Sequence, residues 1–237
     1  MKLSLYTRDI SYLSDRKLFG ELLLCVPASR RDKIMRYRFE RDRMLSLGAW
    51  LLLGEALDTY VSCLPSGVGS DTSPLSFLRN HPDFTGLEPS ITEEGKPYFP
   101  EYPDLHFNIS HSGTYVMAAV SGMPCGCDIQ TITHADMALA ERFFAPEETS
   151  LIRNEPEGPS RDLLFTRIWT LKESYIKAIG RGLSVPLDSF AVMPAPMSAG
   201  FHAELLYTAE SPGTSTFYEY KTDGSYAASA CVIGQLP

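Results

Sequence analysis

Short runs of apolar, aromatic and β-branched residues separated by turn residues fill the middle of the chain. Lys96 to Phe99, Leu105 to Ile109, Thr114 to Val120 and Gly126 to Thr131 read as strands, with a turn at Ser112-Gly113. Leu3 to Tyr6 reads as an earlier strand, and Phe190 to Ile233 as a strand-rich C-terminal region. Between them, Ser29 to Leu57 has few breakers and reads as one or two helices, with Ser29 and Asp32 as a start resembling a capping box. Pro65 to Ser90 is rich in Ser, Gly, Pro and Asp and reads as loop, with a short helical turn at Leu75 to Arg79. Asp136 to Phe144 reads as a helix, and Pro146 sits where another can begin. The clearest helix runs from a cap at Ser160 to Ile179 and stops at Gly180 and Gly182. Helices and antiparallel-looking strands are mixed without regular βαβ alternation, so the expected class is α+β.

The chain has 237 residues, 44% apolar and 21% charged, which suits one or two packed domains and excludes disorder or a fibrous repeat. A net charge of −8 means that the whole-molecule field does not invite nucleic acid or an anionic membrane surface. Any anion site must be a local basic patch, and Arg30 to Arg43, with seven Lys/Arg against three Asp/Glu, is the strongest. The apolar run Leu47 to Leu57 contains Glu55 and is too short to span a bilayer, and the N-terminal residues are interrupted by Arg8, Asp9 and Asp15. No membrane segment is expected. Five irregularly spaced cysteines argue for a reducing compartment, so the cytoplasm is the expected location.

Candidate chemistry begins in Gly126-Cys127-Asp128-Ile129-Gln130. In a strand, Asp128 and Gln130 project to one side, where two oxygen ligands can share a cation. Cys125 and Cys127 have no second Cys/His cluster and read as buried strand residues. In the last helix, Trp169, Glu173 and Lys177 form one stripe at i, i+4 and i+8. Taken alone, that stripe is equally an ordinary ion pair on a solvent face. Ser110-His111, within Asn108-Ile109-Ser110-His111-Ser112-Gly113, ends a strand where donors could cradle a phosphate.

Gly126 to Gln130 together with Trp169-Thr170-Leu171-Lys172-Glu173-Ser174-Tyr175-Ile176-Lys177 resembles the two signatures of 4′-phosphopantetheinyl transferases. Gly95-Lys96-Pro97, Asn108 to Ser112, Arg142-Phe143-Phe144 and Gly182-Leu183-Ser184 match the surfactin-type branch in order, and the resemblance covers roughly residues 28 to 193. It implies two similar halves related by pseudo-twofold symmetry, divided near residue 118 into 1–118 and 119–237, with coenzyme A in the cleft between them. It implies transfer of 4′-phosphopantetheine to a serine of an apo acyl- or peptidyl-carrier protein, with release of adenosine 3′,5′-bisphosphate. The alternative is a coenzyme A-binding homologue with little or no activity.

By the same resemblance, Mg²⁺ would be held by Asp128, Gln130 and Glu173, with Gln130 standing where many relatives have glutamate. Arg30, Lys33 and Ser46 would contact the 3′-phosphate region of coenzyme A, and Lys96, Ser110, His111 and Lys177 its phosphates. Asp128, Glu173 and Lys177 would carry the chemistry, with Glu173 the candidate base and Lys172 its alternative. Glu148 matches the glutamate of a Phe-x-x-x-Glu element counted from Phe144. With both halves of the cleft in one chain, a monomer is expected.

Overall fold

The computed structural model describes residues 3–62, 88–195, 203–208, 213–220 and 224–234. The loop expected at Pro65 to Ser90, with its helical turn, lies almost entirely outside them. Strand β1 (Ser4–Asp9) leads through a short 3₁₀ turn into α1 (Arg16–Leu24), α2 (Ala28–Arg36) and α3 (Glu40–Ser62). Two short strands, β2 (Ser90–Ile91) and β3 (Pro97–Tyr98), precede β4 (His106–Ser112) and β5 (Tyr115–Ser121). The second part runs β6 (Cys125–Thr131), α4 (Met137–Phe143), α5 (Pro146–Asn154), α6 (Pro159–Ile179), β7 (Phe190–Pro194), β8 (Ala203–Thr208), β9 (Ser215–Tyr220) and β10 (Tyr226–Ile233).

One topology occurs twice. The first sheet has the order β1-β5-β4 and the second β6-β10-β9, both antiparallel. In each, the first strand of the part pairs with its last, the penultimate strand lies outside, and one long helix, α3 or α6, covers a face. The apolar run expected to be too short for a bilayer is the buried face of α3: Leu47, Leu52, Leu53, Ala56 and Leu57 are almost fully enclosed against Phe107, Val116 and Val120. No helix among the described residues is long and apolar enough to cross a membrane. The α+β expectation holds.

The expected division at residue 118 falls within β5, whose Ala118 pairs with both Tyr6 and Ile109. The stretch between the sheets is Gly122–Pro124. Across that junction Met117 and Ala119 pack on Cys127, Ile129, Ala228 and Ala230. Beside this apolar layer runs a polar seam. Asn108, Ser110 and Ser112, alternate residues on one face of β4, all reach β6: Asn108 Oδ1 accepts from Cys127 N at 2.9 Å, Ser110 Oγ donates to Asp128 at 2.7 Å, and Ser112 Oγ accepts from Thr131 N at 3.0 Å.

Two expected helix starts are corrected. The backbone turns into α2 at Pro27 with no side-chain cap, and Ser29 Oγ instead donates to Glu88. Helix α6 begins at Pro159 behind Gly158, whose φ of 123° suits glycine, so a proline at the first position replaces the Ser160 cap. Its end is as expected, with Gly180 left-handed at φ 80°.

Candidate active site

The second signature helix can lie on β6 only because Gly126 has no side chain. A Cβ there would come within 2.2 Å of Ser174 O and 2.4 Å of Ala178 N. This close approach brings Lys177 over the next strand residue. Asp128 is buried, and its Oδ1 accepts from Lys177 Nζ at 2.6 Å and from Ser110 Oγ at 2.7 Å, while Gln130 Nε2 donates to Oδ2 at 3.2 Å. Lys177 Nζ also donates to Ser110 Oγ and to Cys127 O, each at 3.2 Å. Burial alone would depress the Lys177 ammonium, but Asp128 beside it outweighs that and holds its pKa above the ordinary lysine range.

The ion pair of Lys177 is therefore with Asp128, 49 residues away, and not with Glu173 one turn back. Glu173 is half-buried and has no hydrogen bond or ion pair among the described residues. Burial first, and the Asp128 carboxylate second, push its carboxyl pKa up. A half-buried carboxylate facing a second one is destabilised unless a cation joins them, so the donor set fits a hard cation. Among the described residues no three His, Cys, Asp or Glu side chains are grouped to hold a metal ion. Two carboxylates and the Gln130 amide are what this chain brings together.

On the first-sheet side of the seam, a cavity of about 310 Å³ is lined by Arg30, Lys33, Ser46, Trp50, Ile109 and His111, among others. The Arg30 guanidinium lies 4.7 Å above the Trp50 ring and reaches Ser46 Oγ at 3.3 Å, and its buried Nε has no acceptor among the described residues. A stacked guanidinium on the wall of a cavity, with Lys33 beside it, suits an anion. Partial burial first, and the Lys177 ammonium second, push the imidazole of His111 below the usual histidine range, although the residue is exposed on the cavity wall. A second cavity of about 340 Å³ opens beyond Gln130, lined by Arg41, Thr131, Phe165 and Trp169 among others. Trp169 packs 5.9 Å from Phe144 and 6.4 Å from Phe165, centroid to centroid, which fits the packing role its large apolar surface suggests.

The profile of the 4′-phosphopantetheinyl transferase superfamily matches residues 124–231, the span from β6 to β10 that carries Asp128, Gln130, Glu173 and Lys177. A Bacillus subtilis 4′-phosphopantetheinyl transferase, ffp, is 37% identical over 224 residues, covering 92% of this chain and 88% of that protein. The chain belongs to this superfamily. Another 4′-phosphopantetheinyl transferase of Bacillus subtilis is 36% identical, covering 72% of this chain and 67% of the relative. The gsp transferase of Aneurinibacillus migulanus is 31% identical over 92% of this chain and 81% of its own length. These relatives place the chain in the surfactin-type branch of the superfamily.

Two lysines make contacts that no local pattern in the sequence announces. Lys96 does not line the cavity, although Gly95 and Pro97 do. Its ammonium donates to Ala178 O at 2.8 Å and Cys125 O at 3.2 Å, satisfying a carbonyl in the last turn of α6. Lys96 thus straps the first part of the chain to the signature helix. Lys172 is fully enclosed, and its three protons go to both Glu148 oxygens, at 2.6 and 2.7 Å, and to Phe190 O at 2.7 Å. It has no proton-accepting role open to it. Glu148 also accepts from Ala145 N and Val192 N, so the pair ties α5, α6 and β7 together. Neither role has a local sequence signal, since the partners are distant backbone carbonyls or a residue 24 positions away.

Proposed function

We propose that this protein transfers the 4′-phosphopantetheine group of coenzyme A to a serine of an apo acyl- or peptidyl-carrier protein with Mg²⁺, releasing adenosine 3′,5′-bisphosphate. One observation carries the proposal: Asp128, Gln130, Glu173 and Lys177 come together on β6 and α6, joined across the seam by Ser110 to the part of the chain whose cavity is lined by Arg30 and Lys33. Arg30, Lys33 and Ser46 hold the 3′-phosphate end of coenzyme A in that cavity, with His111 on its wall, which leaves the diphosphate near Ser110 and Lys177. Asp128, Glu173 and Gln130 would hold Mg²⁺, which supplies charge neutralisation on the diphosphate oxygens. Lys177 adds a cation at the same place.

In the reaction the serine oxygen attacks the β-phosphorus, and the bond from that phosphorus to the oxygen bridging to the α-phosphate breaks. Glu173 receives the serine proton. A carboxylate has two oxygens to divide between ion and proton. The first half lines the cavity and the second carries Asp128, Gln130, Glu173 and Lys177, so one chain holds both parts of the site, which supports the monomer as the functional unit. The cytoplasm, where coenzyme A and apo-carriers coexist, is the assigned location.

Intact-mass analysis of several apo-carriers incubated with the protein, coenzyme A and Mg²⁺ is expected to show addition of phosphopantetheine. Coenzyme A binding with no addition to any carrier would instead support the inactive homologue. Metal binding is read separately by thermal unfolding. Because the folded-state pKa of Glu173 is raised, the stability it contributes is present below the ordinary glutamate range and is lost as pH rises through the raised value. Without metal, Glu173→Gln is therefore expected to melt about 2–4 °C above the wild type at neutral pH, the shift that about 1 kcal/mol gives in a chain of this size. That gap should close in acid, and Mg²⁺ should raise the melting temperature of the wild type but not of the variant. Equal stabilisation of both by Mg²⁺ would remove Glu173 from the metal site.

A further inference from the structure

The corner between α2 and α3 exposes three large apolar side chains at alternate positions, Met35 at 47%, Tyr37 at 40% and Phe39 at 61%. Single exposed apolar residues are ordinary, but a contiguous group marks a contact surface. The same eleven residues, Lys33 to Arg43, hold five basic residues against two acidic ones, on a chain whose net charge is −8. Among the described residues none of the five is in an ion pair, whereas Glu40 is already paired with Arg16 at 3.2 Å. Three guanidinium groups are fixed by other means: Arg38 lies 5.4 Å over the Phe39 ring, Arg41 donates to Gly113 O at 3.2 Å, and Arg43 Nε donates to Tyr37 O at 2.8 Å. The corner thus presents held, unneutralised cations around an apolar centre.

Its position is as informative as its chemistry. Lys33 and Tyr37 line the cavity assigned to coenzyme A, and Arg41 lines the second cavity beyond Gln130. A partner seated on the corner therefore overhangs the mouths of both. We infer that this corner is the docking surface for the carrier protein, which lays an acidic amphipathic helix over Met35, Tyr37 and Phe39, with its carboxylates toward Arg36, Arg38 and Arg41. The inference rests on the transferase reading for the identity of the partner. Charge complementarity and the apolar centre together select the occupant: the local cations attract an acidic partner, and three exposed apolar side chains fit one with a folded apolar face rather than a free polyphosphate.

The test measures binding of a fluorescently labelled apo-carrier by anisotropy, without coenzyme A, for the wild type, R36E/R38E and F39S. None of these residues lines either cavity, so coenzyme A affinity, measured in parallel, checks that each variant is folded. The double variant is expected to weaken carrier binding about tenfold or more at low salt, with the difference shrinking at high salt. F39S is expected to weaken it in a way that salt does not change. Carrier affinity within twofold of the wild type in both variants, with coenzyme A bound normally, overturns the inference. So does loss of binding to phosphatidylserine vesicles with carrier affinity unchanged, which would assign the patch to membranes. Transfer by the wild type together with unchanged carrier affinity in the variants sinks this docking site and leaves the transferase. Weakened carrier binding in the variants, with no transfer by the wild type, supports the docking site and sinks the transferase.

Discussion

Lys172→Met is expected to destabilise the protein by about 3–5 kcal/mol, because it strands the Glu148 carboxylate, which is fully enclosed, without its cation. Burial pushes the Glu148 carboxyl up and the Lys172 ammonium down, so each charge persists only through the other and through the amides of Ala145 and Val192. The loss comes mainly from the unpaired survivor. The double variant Lys172→Met/Glu148→Gln, which removes both charges but keeps an acceptor for only one of the two amides, should recover part of it. Denaturant unfolding of the three proteins checks this, and a single variant within 1 kcal/mol of the wild type would contradict the structural role given to Lys172.

Turnover in Asp128→Asn should fall by about 10²–10³-fold, the order found when one preorganised charge-stabilising group is removed from an active site. The change keeps the shape of the side chain but takes away the charge that holds Lys177 in place and one of the two carboxylates at the proposed metal site. Arg30, Lys33 and Ser46 are untouched, so the KM for coenzyme A should move far less than kcat. Steady-state transfer kinetics separate the two. A turnover within tenfold of the wild type would mean that Asp128 organises the seam and does not act in the reaction.

Much of this was legible in the chain because it rests on local signals. The strands around Asn108 to Ser112 and Gly126 to Thr131, and the stop of α6 at Gly180, follow from period, turn residues and a left-handed glycine. Helix α1 has no fully buried residue, with Phe19, Leu22 and Leu23 only partly covered by the core, and its one clear sequence signal is the cap at Asp15, which accepts from Lys17 N and Leu18 N. The start of α6 at Pro159, one residue before the expected Ser160 cap, follows the same rule that places a helix start at Pro146. Asp128 and Gln130 were expected on one side of β6, and their hydrogen bond agrees. The Lys177–Asp128 pair could not be told from an i,i+4 pair without the fold, because strand and helix partners 49 residues apart leave no periodic trace. The contacts of Lys96 leave no sequence trace for the same reason, since its acceptors are backbone carbonyls that any residue could supply.

The seam along β4 has one more consequence. The amides of Cys127 and Thr131 are protected by the side chains of Asn108 and Ser112, not by a neighbouring strand. Their exchange with solvent deuterium therefore keeps time for the parting of the two halves. The β6–β10 ladder amides keep a different clock, that of the second sheet coming apart.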